Sequence, residues 1–436
     1  MEAVELHLKN FRGYKDAVLR FEDKINLIVG VNGSGKTSAL DSLALLFSWL
    51  NNRTLNERSN GQYLDDLDIK NKSRGASVSI KVKHANDFYS WTVGKSVRGH
   101  STGEYKSDFS DLSKLAKLFQ ANLDEDPDLA SLPLVVYYPV DRAIVDIPIR
   151  IRGKHQFNQL SAYEDSLKSA ANFRRFFEWF RAQQEVTRSF TMDSIIAHLK
   201  SGGTLESLDD LPYDAAAQQL DVVCRAIYRF MPGFSNLRVM YRPLRMMIEK
   251  GETNLNLLQL SGGEKIMLAL VGDLARRLSH ANPQMENPLE GEAIVLIDEI
   301  DLHLHPKWQR NAIERLAEVF PNCQFIVTSH SPHIVTHVPP SSVSVVSMDY
   351  NGEVLLHSVK NAYGYSAERL LEDVMGLETT RPSNIQEKLD LVFELISEAR
   401  LDEAEVEISF LKRHIPEDGD LIRASALVAR KRVIGK

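Results

Sequence analysis

Cysteine is scarce, with Cys224 and Cys323 the only two in 436 residues. That excludes a disulfide framework and leads us to expect a protein of the reducing cytosol. Both thiols read as core residues rather than nucleophiles. No apolar run approaches the roughly 20 residues of a membrane-spanning helix, which weighs against an integral transporter. The start, Met1–Glu5, lacks the basic and apolar regions of a secretory signal. Positive charge is not in excess: 52 basic residues face 59 acidic ones, a net charge of −7, so the surface is not broadly coated for nucleic acid. Sustained heptads are missing too, which excludes a long coiled coil. What is present, 43% hydrophobic and 25% charged residues, describes a globular protein with a sizeable core. One insertion-bearing head or two to three domains fit that length.

The strongest positive signal is Gly30–Thr37 (GVNGSGKT), a P-loop. It follows an apolar run, Ile25–Val29, that reads as a buried strand, and precedes a helical pattern through Leu40, Leu43, Leu45 and Leu46. Glycines let consecutive N–H groups turn toward an anionic phosphate, and a helix N-terminus adds positive dipole. Asn32, Gly33, Ser34, Gly35, Lys36, Thr37 and Ser38 are the expected cradle for ATP. Lys36 bridges the β- and γ-phosphates in such a loop, and the Thr37 hydroxyl ligates Mg²⁺.

Ile294–Glu299 (IVLIDE) places two carboxylates after four apolar residues, the pattern of a central parallel strand ending where ligands bind. Asp298 is the expected Mg²⁺ acid, and Glu299 the base that orients and deprotonates the attacking water. Gln324–Thr328 reads as another strand, and His330 just beyond it stands where a switch histidine meets the γ-phosphate. His303 and His305, alternating in Asp301–Pro306, fit the turn after the acidic strand better than a metal site, since no further Cys/His cluster completes one.

Leu260–Glu264 (LSGGE) combines a helix N-cap, Ser261, with a capping acid, Glu264, three residues on. Gly262 and Gly263 add exposed N–H groups at the start of the helix Ile266–Leu278, ready for an anion. In a two-lobed head this motif sits far from its own P-loop. Two copies closing face to face, Ser261 of one meeting the γ-phosphate held by the other, therefore follow from the motif pair. A homodimer or higher homo-oligomer is expected.

Together these motifs resemble the ATP-binding-cassette (ABC-type) ATPases. The opening Leu6–Gly13 (LHLKNFRG) is similar to the RecF, SMC and OLD branch, which implies that Arg12 reaches the nucleotide. Tyr137–Arg142 (YYPVDR), Leu160–Tyr163 (LSAY), Phe173–Arg181 (FRRFFEWFR), Asn287–Glu290 (NPLE) and Phe320–Gln324 (FPNCQ) resemble the PtuA-like ATPase subunits of Septu and retron anti-phage systems. That resemblance implies a separately encoded HNH-type nuclease as partner. No Toprim or HNH pattern is found in this chain, whose later acids (Asp349, Glu372, Asp373) are scattered.

The expected fold is α/β: a two-lobed ABC-type P-loop ATPase head with a helical insertion and a helical C-terminal appendage. Lobe I spans residues 1–140, with Ser77–Lys83 and Phe88–Val93 as strands and polar loops near Asn51–Asn60 and Ser101–Asp111. The insertion spans 141–236, with Phe173, Phe176, Phe177 and Phe180 as a core stripe. Lobe II spans 237–365, broken by a loop at His280–Gly291. The appendage spans 366–436, with stripes at Ile385, Leu389, Val392, Leu395 and Ile396, at Ala404, Ile408 and Leu411, and at Ile422, Leu427 and Val428. It is a candidate for docking a partner and equally for covering lobe II. Gln62, Gln156 and Gln159 are candidates for the glutamine that couples the lobes.

The function expected is an ATP-hydrolysing subunit that dimerises through ATP and gates the nuclease. The rivals are a RecF-like repair ATPase binding DNA directly and an ATP-binding subunit of a transporter. For DNA, the basic clusters are Arg150 to His155, Arg174 to Arg181, Arg238 to Arg245 and Arg430 to Lys436, although each such cluster is more often a solvated face or an interface.

Overall fold

The computed structural model describes residues 1–98, 103–125, 132–140, 162–167, 173–200, 215–349, 352–358 and 381–434. The basic cluster Arg150 to His155 and the candidates Gln156 and Gln159 lie outside them. The chain forms two compact units, Met1–Tyr365 and Ser366–Lys436.

The first unit opens with the hairpin β1 (Glu2–Lys9) and β2 (Asp16–Arg20). Next comes β3 (Ile25–Val29), four of whose five residues are buried, and then α1 (Lys36–Leu55). A second hairpin, β4 (Gly75–His84) and β5 (Asp87–Ser96), completes an antiparallel sheet of order β2-β1-β4-β5. It contains both strands expected from alternation. Trp91 of β5 donates its indole N–H to the Leu46 carbonyl of α1 at 3.0 Å, tying sheet to helix. Helix α2 (Ser110–Glu125) packs against both.

The expected loop at Asn51–Asn60 is shortened by α1, which continues to Leu55. Two amides make the extra turn affordable to the backbone: Asn51 donates to Ser166 Oγ at 3.1 Å and Asn52 to the Asn60 carbonyl at 2.7 Å.

β6 (Leu134–Tyr138) precedes two helices, α3 (Phe173–Lys200) and α4 (Ala215–Phe230). Phe176, Phe177 and Phe180 are buried, as expected of a core stripe. A three-stranded antiparallel sheet follows: β7 (Phe234–Tyr241), β8 (Leu244–Lys250) and β9 (Thr253–Asn256). Then come α5 (Gly262–Ala281), β10 (Ala293–Ile297), α6 (Pro306–Val319), β11 (Cys323–Ser329), the single turn α7 (Pro332–Val335), β12 (Val343–Met348) and β13 (Val354–Ser358).

The central sheet has the order β13-β12-β3-β11-β10-β6. Its inner pairings are parallel, and only β13 runs antiparallel at one edge. Uninterrupted apolar strands such as β10 suit a parallel sheet covered on both faces. The ends of β3, β10 and β11 thus emerge together, where open α/β sheets bind ligands. The sheet draws β3 and β6 from residues 1–140 and β10 to β13 from residues 237–365, so a boundary at residue 140 does not separate two sheets. Among the described residues no helix is long and apolar enough to cross a membrane.

The second unit contains α8 (Ser383–Ser397), α9 (Leu401–Leu411) and α10 (Gly419–Ile434). Leu389, Val392, Leu395 and Ile396 pack with Ala404, Ile408, Leu411, Leu421, Ala424 and Val428. The third stripe differs from expectation. Ile422 is exposed, and α10 instead buries Leu421, Ala424 and Val428, an i, i+3, i+7 face turned by about one residue.

Candidate nucleotide-binding site

The loop after β3 bends where side chains could not follow. Gly33 and Gly35 hold φ of 80° and 106°, a left-handed backbone that favours glycine. Gly30 is required for a different reason: a Cβ there would stand 2.1 Å from the Val346 carbonyl oxygen of β12. Asn32 and Gly33 are exposed, whereas Ser34 is buried and its hydroxyl has no hydrogen-bond partner among the described residues. A buried hydroxyl without a partner is costly, and an anion seated in the loop would satisfy it.

Lys36 is only 5% exposed, and its ammonium donates to the Gly30 and Val31 carbonyls at 2.8 and 3.0 Å. Burial lowers its pKa, while the charges of Glu299, Asp298 and Asp301 pull it back up. Thr37 donates its hydroxyl to Asp298 Oδ2 at 2.8 Å. Asp298 is fully buried, its backbone N–H bound to the Tyr138 carbonyl of β6 at 2.9 Å. Its Oδ1 accepts from the Thr328 hydroxyl at 2.5 Å, and that same hydroxyl accepts the Glu299 N–H at 2.7 Å.

Glu299 itself is half-buried and has φ of 45°. A non-glycine residue held in that region signals backbone strain of the kind found at functional sites. His330 Nε2 lies 3.3 Å from Asp301 Oδ2, and Asp301 Oδ1 is buried without a partner among the described residues. Thus β3, β10 and β11 bring Lys36, Thr37, Asp298, Glu299 and His330 into one neighbourhood.

Arg12 lies against the first turn of α1. Its guanidinium donates to Asp41 at 2.6 Å, to Asp68 at 3.0 Å and to Ser38 Oγ at 3.4 Å. Tyr137 donates to the other oxygen of Asp41 at 3.0 Å. Thr328, Tyr137, Tyr138 and Asp41 form this surrounding frame, and the motif reading assigned none of them a role. Gln62 holds Ser48 and Trp49 through its backbone and is exposed.

The Ser261 motif forms a second centre. Ser261 Oγ accepts the Glu264 N–H at 3.4 Å, and Glu264 Oε2 accepts the Ser261 N–H at 3.0 Å, a reciprocal cap. Lys250 holds the other oxygen of Glu264 at 2.7 Å. Gly263 packs so closely that a Cβ would stand 2.5 Å from the His303 carbonyl oxygen, whereas a Cβ on Gly262 would meet nothing within 4 Å. A cleft of about 980 Å³ opens here between the starts of α5 and α6. Ser261 to Ile266 and His303, Leu304, His305, Lys307 and Trp308 line it, with no residue of 30–38 among them. His305 caps α6, its Nδ1 accepting the Lys307 N–H at 3.3 Å. No group of three His, Cys, Asp or Glu able to hold a metal occurs among the described residues.

Behind both centres, Asp273 of α5 accepts from Arg276 and Arg277, each at 2.7 Å, and from the Tyr138 hydroxyl at 3.1 Å. Burial alone would raise the Asp273 pKa, but the two guanidiniums outweigh it and hold the carboxyl well below its usual range.

Comparison with known proteins adds the family. A family model described as "AAA domain, putative AbiEii toxin, Type IV TA system" matches residues 25–336. The chain belongs to that family. It is an ABC-type ATPase of the RecF, SMC and OLD branch, as its motifs led us to expect. The retron Ec83 probable ATPase of Escherichia coli is 30% identical over 90% of this chain and 80% of its own length. The Septu protein PtuA of Bacillus thuringiensis is 23% identical over 86% of this chain and 85% of its own length. Among solved structures, the SMC head domain from Thermotoga maritima aligns with a TM-score of 0.44 at 17% identity, over 83% of this chain and 100% of that one.

The residues present fit ATP with Mg²⁺. The partnerless Ser34 hydroxyl, the buried Lys36 and the left-handed glycines suit a polyphosphate, and a hydroxyl beside one carboxylate suits a cation that keeps most of its water.

Proposed function

We propose that two copies of this chain close around two ATP molecules, hydrolyse them, and thereby gate a separate HNH-type nuclease in a cytoplasmic anti-phage complex. One observation carries the reading. Thr37 and Asp298 meet at the end of the parallel sheet, while the cleft before Ser261 contains none of the P-loop residues. Each centre is half of a site, and a second copy supplies the missing half.

In this reading Asn32 to Ser38 cradle the phosphates, with Lys36 on the β- and γ-phosphates. Ser261, Gly262 and Gly263 of the opposing copy cap the γ-phosphate from the other side. Thr37 and Asp298 would hold a Mg²⁺ ion, which would supply positive charge against the phosphates. Glu299 accepts the proton of the water that attacks the γ-phosphorus, the bond to the bridging oxygen breaks, and ADP leaves. His330, oriented by Asp301, donates to the γ-phosphate. Closure draws its free energy from the higher affinity of ATP for the closed pair. The relatives named for retron and Septu systems support the defence setting.

The test pairs two variants. Lys36→Ala is expected to lose ATP binding in calorimetry. Glu299→Gln is expected to bind ATP without turnover and to accumulate an ATP-dependent closed assembly, seen by light scattering or, in a constitutive oligomer, by a distance probe across the cleft. ATP-loaded Glu299→Gln with unchanged mass and unchanged distance would end the closure model. Purification at native level tests the partner: an HNH nuclease supports the reading, and a permease refutes it.

A further inference from the structure

Gln309, in the first turn of α6, is half-buried and uses both ends of its amide. Its Nε2 donates to the Leu304 carbonyl at 3.0 Å and to the Asp301 carbonyl at 3.4 Å. Its Oε1 accepts the Ser331 hydroxyl at 2.8 Å. With the donors on two carbonyls and the oxygen on a hydroxyl, only this orientation of the amide satisfies every partner. A glutamine on a helix surface ordinarily keeps its rotamer freedom in water, and holding it still gives up that entropy.

The contacts join two loops. Between the carbonyls that Gln309 holds lies His303, whose φ of 61° puts a non-glycine residue in the left-handed region. Such a conformation persists where the surroundings over-determine it. Here the Leu304 N–H bonds the Asp301 carbonyl at 3.0 Å, and the Gln309 amide grips the turn from outside. On the other loop, Ser331 is buried. Its N–H donates to Ser329 Oγ at 2.9 Å, and its hydroxyl accepts the His333 N–H at 3.2 Å to cap α7. His330 stands between the two loops. Its ring nitrogen lies 3.3 Å from Asp301 Oδ2, and its chain neighbour is Ser331. The ring partner and the chain neighbour of His330 are therefore both held by one amide.

We propose that Gln309 is a positioning residue for ATP hydrolysis: by clamping the Asp301–Leu304 turn to Ser331, it sets where the His330 ring meets the γ-phosphate. The inference rests on the role proposed above for His330. Gln309 acts through that ring, since its own donors and acceptor are engaged within the chain. Misplacing His330 would weaken an interaction that matters as charge develops on the phosphoryl group, while the P-loop cradle on α1 stays as it is.

The experiment compares steady-state ATP turnover, per site able to bind nucleotide, in full-length variants. Gln309→Met keeps the length of the side chain and withdraws every polar contact. It is expected to lower kcat on the order of 10²-fold, as for a group displaced by about 1 Å, while the ATP dissociation constant stays within about threefold. Gln309→Glu, which retains the acceptor for Ser331 and loses the donors to the turn, is expected to fall between Gln309→Met and the wild type. Ser331→Ala is expected to slow turnover, and combining it with Gln309→Met is expected to add nothing, because the bond it removes is already gone. Wild-type kcat in Gln309→Met or Gln309→Glu would overturn the proposal, as would a double variant in which the two losses multiply. So would a lowered melting temperature with kcat per site unchanged, the signature of a packing residue. His330→Ala separates the two readings. If it is slow while both Gln309 variants turn over like the wild type, this inference fails and the role of His330 stands; if it turns over like the wild type, both fall.

Discussion

Thr37 and Asp298, 261 residues apart in sequence, share a 2.8 Å hydrogen bond from hydroxyl to carboxylate. The contact exists because β3 and β10 flank β11 in one parallel sheet, so the helix start after β3 meets the acid after β10. Asp298 is then held from its other side by Thr328 of β11. The proposed metal-binding pair is thus aligned by the strand between its two bearers.

Thr328→Val tests that alignment. Valine keeps the shape but withdraws the donor to Asp298 and the acceptor of the Glu299 N–H. Loss of an oriented base is expected to lower kcat on the order of 10²-fold, while the ATP dissociation constant stays within about threefold. Thr328→Ser, which retains the hydroxyl, is expected to restore most of the rate in a phosphate-release assay. Equal loss in both variants would reduce Thr328 to a packing residue.

Gly262 and Gly263 separate folding from closure. A Cβ at position 263 collides with the His303 backbone at 2.5 Å, so Gly263→Ala is expected to lower the melting temperature. Position 262 faces open space within its own chain. Gly262→Ala is therefore expected to melt like the wild type and yet lose ATP-dependent assembly, because in the proposed closed pair the extra methyl would occupy the room of the γ-phosphate. Circular dichroism and light scattering read the two effects independently.

Acid sensitivity is expected to trace to His280. Burial, then the charges of Arg276 and Arg277, push its pKa down to about 3, with Asp273 pulling weakly the other way. The unfolded imidazole takes up a proton near pH 6.5, so the unfolded state binds more protons between there and about pH 3. The stabilising contribution is complete above that window and is lost as pH falls through it, by up to about 1.4 kcal/mol per unit. His280→Phe, which preserves the aromatic packing on Trp179, is expected to flatten this part of the curve in urea titrations at pH 7, 6 and 5.

The recognition and the α/β fold were legible because they rest on local signals. Glycines at 33 and 35 mark a backbone that other residues avoid, and apolar runs such as Ala293–Ile297 have few alternatives to a central strand. Thr328 and Tyr138 were illegible for the opposite reason. Their partners lie 30 and 135 residues away, and no local pattern announces a hydroxyl that will meet Asp298 or Asp273. The Asn51–Asn60 segment misled because asparagine favours turns unless tertiary partners engage its amide, and Ser166 supplies one to Asn51. On α10, Ala424 belongs to the buried face but is too small to stand out beside Ile422.

The position of β3 sets a timetable for the ribosome. Its sheet neighbours are β11 and β12, so this strand has no partner until Cys323–Ser329 has been made. At about 5–20 residues per second, the roughly 300 intervening residues take on the order of 15–60 s. Throughout that interval the nascent chain carries an unpaired apolar strand. Competence to bind nucleotide is therefore expected only once Cys323–Ser329 has been made and paired with β3.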